Sequence, residues 1–85
     1  MPKNGFDRYL EYQFRRAYRM SDFFEALFKA MGHADTGNLA RIEKGFPEEV
    51  EAYKTWTRVG VKEFLAKCTP GHHLMKALAE RKIAI

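Results

Sequence analysis

The stretch ADTGNLARIEKGFPEEVEAYKTW, residues 34–56, decides the fold. It reads as a short helix with a start and a stop, followed at once by a second helix. Asp35 suits the position before a first turn, where its carboxylate accepts a free backbone amide. Leu39 and Ile42 recur at helical spacing and face inward, while Arg41, Glu43 and Lys44 lie mostly outside. Gly45 suits a left-handed residue after a helix end, and Phe46 the apolar contact that goes with it. Pro47 then fits a first helical turn, where its missing amide is no loss. Glu48, Glu49 and Glu51 complement the positive end of that helix. Val50, Tyr53, Trp56 and Thr57 form its inner stripe.

The same punctuation extends outward. Residues 1–5 read as a frayed arm. From Phe6 to about Arg19 the stripe Phe6, Leu10, Phe14, Ala17 predicts a first helix, with no glycine or proline to interrupt it. Asp22 and Glu25 form a capping pair ahead of a second helix that runs to about Met31 and stops at Gly32. Gly60 breaks or bends the chain after residue 56. Val61, Phe64 and Leu65 make a shorter apolar patch ending near Cys68. Thr69-Pro70 repeats the start signal, so a last helix is expected from Pro70 to about Lys82. Alternating β-branched runs and hairpin turns are missing. The expected fold is all-α, a compact bundle of four to five short helices in a single domain.

Composition agrees. A chain of 85 residues with 46% hydrophobic and 31% charged residues forms one core. Eight of its twelve aromatics fall within the first 28 residues, and large rings contribute much buried area to a small core. The net charge of +4, from 15 basic and 11 acidic residues, supports long-range attraction to polyanions without specifying a partner. The single cysteine excludes an internal disulfide and suits a reducing compartment. With no apolar run of membrane-spanning length and no signal-peptide core, the chain reads as cytoplasmic.

The residues able to carry chemistry are few. His33, His72, His73 and Cys68 are the candidate metal ligands. Adjacent histidines on a helix point about 100° apart, and after Pro70 they read as surface groups. Cys68 lies close to those histidines in sequence, but no third group is in place to orient them, so it reads as a small buried hydrophobe. No phosphate-cradling glycine loop is present. No catalytic residue, cofactor or metal is therefore expected. The basic residues carry more. Arg8, Arg15, Arg16 and Arg19 cluster around Tyr12 on the first helix, a pattern that serves either a solvated helix face or nucleic-acid backbone and bases.

Two resemblances follow from these letters. Leu27 to Pro47, with Gly32 at the turn and Leu39-Ala40-Arg41-Ile42-Glu43-Lys44-Gly45 beyond it, resembles the repressor-type helix-turn-helix. The likeness implies that Thr36, Asn38 and Arg41 face DNA. The spacing from Gly32 to Glu43 is about one residue longer than in that pattern, which turns the second helix by about 100°. Ser21 to Trp56, through Ala34-Asp35, Asn38, Ile42 and Gly45 to Tyr53, looks like short uncharacterised proteins of gut Bacteroidales and their phages or mobile elements. That resemblance implies a mobile-element setting and carries no activity. The expected function is a non-enzymatic protein-binding or accessory module with an undefined protein partner. The alternative is a small DNA- or RNA-binding protein. Arg8, Tyr12, Arg15, Arg16, Arg19, Thr36, Asn38 and Arg41 are the expected contact residues in either case.

Overall fold

The computed structural model describes residues 3–15 and 20–80. Among the described residues six α-helices follow one another: α1 (Gly5–Gln13), α2 (Asp22–His33), α3 (Thr36–Gly45), α4 (Pro47–Lys54), α5 (Val61–Ala66) and α6 (His73–Ala79), with a π-helical segment (Thr55–Val59) continuing α4. The fold is all-α, and no strand occurs among the described residues. The radius of gyration is 12.6 Å. α4 is the hub, packed on α1, α2 and α3. Phe28, Phe64, Leu10, Met31 and Val50 are fully enclosed at its centre, and Phe6, Tyr9, Leu39, Ala52, Cys68 and Leu74 complete the core. Tyr9 binds it together, its ring 5.0 Å from Phe28, 5.8 Å from Phe64 and 5.9 Å from Trp56. Such tilted and edge-on pairs add to the area they bury.

The middle of the chain is built as its letters read. The Asp35 carboxylate accepts the Asn38 amide at 2.7 Å and starts α3. Pro47 opens α4. Leu39 is the buried residue of α3, with Ile42 packed half-buried beside it. Gly45 differs from expectation. Among the described residues only Gly60 has a positive φ, at 146°. Gly45 stays helical, and Phe46 serves as the end of α3 and the start of α4 at φ −136°, ψ 62°. The chain turns there at negative φ, so the left-handed cap is not needed.

Other ends are set by side chains whose effect the local pattern did not reveal. Asn4 and Gly5 are not frayed. Asn4 caps α1 in a reciprocal box with Asp7, and Gly5 is buried against α4. α1 ends at Gln13, short of the expected Arg19, and Arg15 folds back on its last turn: its guanidinium donates to the Tyr12 carbonyl at 3.0 Å and lies 4.5 Å from the Tyr12 ring. Asp22 lies inside the first turn of α2, after Ser21. Gly32 is an exposed residue within α2, which runs on to His33. Beyond α4, the Thr55 and Thr57 hydroxyls each donate at 2.8 Å to the carbonyl four residues back. Hydroxyls that bond in this way loosen the helical ladder. The chain widens into the π turn, which closes with the Gly60 amide on the Thr55 carbonyl at 3.0 Å. Trp56 lies half-buried in the core cluster, whereas Thr57 is exposed.

Thr69-Pro70 starts no helix. α6 begins three residues later at His73, capped by His72. Thr69 turns inward instead and bonds to Asp7.

Candidate interaction surface

Two arrangements of polar and aromatic groups stand apart from the plain core. The first is a buried polar seam along one face of α1. Asn4, Asp7 and Glu11 are spaced to share that face, and all three reach the segment 67–74. The Asn4 amide side chain donates to the Lys67 carbonyl at 3.3 Å. Asp7, fully buried, accepts from the Thr69 amide at 2.7 Å, from the Thr69 hydroxyl and from the Asn4 amide at 3.1 Å. Glu11 sits 2.7 Å from His72 Nε2 and 2.8 Å from Lys3 Nζ. His72 Nδ1 accepts the Leu74 amide at 3.1 Å. That bond leaves the ring proton on Nε2, where it points at the Glu11 carboxylate. Both ring nitrogens are thus engaged in structure, and His72 is buried, not the surface group its sequence position suggested. No buried side-chain nitrogen or oxygen among the described residues lacks a partner.

Cys68 lies beside this seam. Burial and the nearby Asp7 carboxylate push its thiol from the ordinary 9.0 up to about 12. The Sγ–H group donates to the Phe64 carbonyl at 3.6 Å. A thiol in this state is a poor nucleophile near neutral pH. Among the described residues, no three His, Cys, Asp or Glu side chains are placed to hold a metal ion.

These groups set an alkaline limit. Burial also raises the Tyr9 phenol, from 10.0 to about 12, although Gln13 donates to its oxygen at 2.9 Å. Both folded pKa values exceed the unfolded ones, so the unfolded chain releases its protons first as pH rises. The stabilisation is complete below about pH 9 and is lost progressively towards about 12. We expect the urea midpoint to fall steadily between those limits in a pH series. A midpoint unchanged from pH 8 to pH 11 would refute the burial of both groups.

The second arrangement is an aromatic patch where the start of α2 meets the α3–α4 junction. The Phe23 ring lies 5.2 Å from Phe24 and 5.7 Å from Phe46. Phe24 continues inward to Phe28 at 6.4 Å. Phe23 keeps 57% of its surface exposed; Val59, at the end of the π segment, keeps 66%. Phe46 is half-buried.

The six expected contact residues that lie among the described residues are held in different ways. Arg8 is committed to structure: it donates to the buried Glu49 carboxylate at 2.9 Å and lies 4.8 Å above the Phe24 ring. Glu49 is therefore an ion-pair partner as well as a helix-dipole residue. Tyr12 is half-buried, 5.4 Å from Phe28. Arg15 is exposed and caps α1. Arg16 and Arg19 lie outside the described residues, as does Tyr18. Thr36, Asn38 and Arg41 are exposed on α3, with the Arg41 guanidinium 3.4 Å from the Asn38 side-chain oxygen. Sequence reasoning missed Phe23 as a surface group, since its neighbours Phe24, Leu27 and Phe28 made it look like one more core ring. It also missed the seam. The Asn4-Gly5-Phe6-Asp7 spacing of a capping box was the available signal for Asn4 and Asp7.

No helix among the described residues is long and apolar enough to cross a membrane. Comparison of the chain with family models, with curated proteins and with solved structures gave no match.

Proposed function

We propose that this chain is a small non-enzymatic protein-binding module, acting in the cytoplasm and using the Phe23–Phe24–Phe46 patch to hold its partner. The observation that supports this reading is the exposure of Phe23. A phenylalanine with 57% of its surface in solvent, backed by two further rings, is a preformed apolar anchor point. Fixed rings lose little side-chain entropy on binding, which favours them as contacts. The likeness of residues 34–53 to short proteins of gut Bacteroidales and their mobile elements suggests an accessory role in such a setting.

A photo-crosslinking benzoyl-phenylalanine in place of Phe23, expressed in cells, tests the proposal. The expected result is one protein adduct of discrete mass that disappears when Phe46→Ser is added and the circular dichroism is unchanged. Failure to form such an adduct in the folded protein sinks the reading.

Exposed Arg15, Arg41 and Asn38 favour the second reading, in which the chain binds nucleic acid. On that reading, affinity for a random duplex falls steeply as salt rises, and Arg15→Ala or Arg41→Ala weakens it. No binding at low salt removes it.

A further inference from the structure

We propose that the C-terminal segment 67–79 is a latch that opens as a unit while α1 to α4 stay packed. The idea rests on how differently the two halves of the molecule are held. α1, α2 and α4 meet through large enclosed side chains: Leu10, Phe28, Met31 and Val50. The segment 67–79 is seated on α1 by the polar seam of Asn4, Asp7 and Glu11 against Lys67, Thr69 and His72. Its buried apolar groups are Cys68 and Leu74, while Met75 and Leu78 are half-buried against the core. The chain entering α6 turns through exposed Pro70 and Gly71.

Local opening in proteins follows such divisions. Units with little enclosed apolar surface separate at a lower free energy than the whole fold. Here the separation breaks the Asp7–Thr69 and Glu11–His72 contacts and withdraws Leu74, but it leaves Phe28, Met31, Leu39 and Val50 covered. The open form presents the Asp7 and Glu11 carboxylates of α1 to solvent. The latch is independent of the proposed partner surface at Phe23.

Cys68 reports the motion. It is the single cysteine of the chain, it lies within the segment, and it is buried when the latch is shut. Its reaction with a chromogenic disulfide reagent at pH 8 therefore measures opening. The intact protein is labelled across a urea series below its unfolding transition, with Trp56 fluorescence reporting global unfolding. We expect a labelling rate that depends only weakly on urea at low concentration, because a small opening exposes little surface. The slope should steepen to that of the Trp56 transition nearer the midpoint. Glu11→Gln should raise the rate without urea about tenfold, beyond what its change in midpoint explains. A labelling rate with the full global slope at every urea concentration overturns the latch. The wild-type slope decides the matter even if Glu11→Gln does not fold.

Discussion

Asp7→Ala is expected to lower folding stability by about 2–4 kcal/mol, through the loss of hydrogen bonds to a buried carboxylate and the donors left without it. Asp7 is fully buried on α1. Its two oxygens serve three donors: the Asn4 amide, the Thr69 amide and the Thr69 hydroxyl. Alanine removes all three bonds and leaves two part-buried amides, those of Asn4 and Thr69, without this acceptor. It also opens half of the capping box that starts α1. Hydrogen bonds to charged groups are each worth about 1.5–3 kcal/mol, and leaving a donor unsatisfied adds a desolvation penalty. The loss is large against a whole-domain stability of about 5–15 kcal/mol. Asp7→Asn separates charge from shape. It keeps one acceptor oxygen, and its new amide can donate to the Thr69 hydroxyl oxygen, so it should lose about half as much. Urea unfolding followed by Trp56 fluorescence measures both variants. A loss below about 1 kcal/mol for Asp7→Ala would show that the seam contributes little, contrary to its burial and bonding.

Asp7 also marks the limit of what the sequence reveals. Asp35 and Pro47 were readable because a cap bond and a first-turn proline are local events, and Gly60 was readable as a break though not as the positive-φ glycine, a place the local pattern gave to Gly45. The Thr69 partner of Asp7 and the His72 partner of Glu11 are 62 and 61 residues away. A carboxylate on a helix looks the same in sequence whether it meets water or a buried histidine. The Thr69-Pro70 start signal failed for the same reason. The threonine had a stronger use, as donor to a buried carboxylate, than capping the next turn. His72 took over that cap with its own ring nitrogen. Neither the pairing nor the later helix start follows from local propensity.

The surface was legible to a different extent. That Thr36, Asn38 and Arg41 face outward follows from the positions of Leu39 and Ile42 on α3, and the structure agrees. That Arg8 is occupied does not follow, since its partner Glu49 is 41 residues away. Net charge therefore overstates the basic surface of α1. Arg8 is neutralised by Glu49, and Arg15 is partly spent on a carbonyl. Phe23 stands where helical phase carries it away from the packed face of Phe24 and Phe28. An exposed ring and a buried ring carry the same letter, so the patch emerged only once the α3–α4 junction was seen to place Phe46 beside it.

Gly5→Ala is the second large effect expected, and its cause is space, not backbone freedom. Glycine is usually poor inside a helix, and alanine gains up to about 1 kcal/mol of intrinsic preference. At Gly5 that gain is outweighed. A Cβ there would lie 2.5 Å from the Glu48 carbonyl carbon, 2.6 Å from its Cβ and 2.7 Å from its carbonyl oxygen. Two of these neighbours are backbone atoms of the first turn of α4, so no side-chain rotation relieves the contact. α1 and α4 must separate, and they form the principal helix pair of the fold. Overpacking of this kind costs about 1–3 kcal/mol, and the rigid backbone on the far side places Gly5→Ala at the upper end. The shift should also weaken the Arg8–Glu49 pair, which joins the same two helices at 2.9 Å. Gly32→Ala is the control. It sits exposed in α2 with nothing within 4 Å of its added carbon, and should be neutral or stabilise by up to about 1 kcal/mol. Thermal melts should therefore place Gly5→Ala below wild type and Gly32→Ala at or above it. If Gly5→Ala melts at or above the wild-type temperature, the close approach of α1 to α4 is wrong.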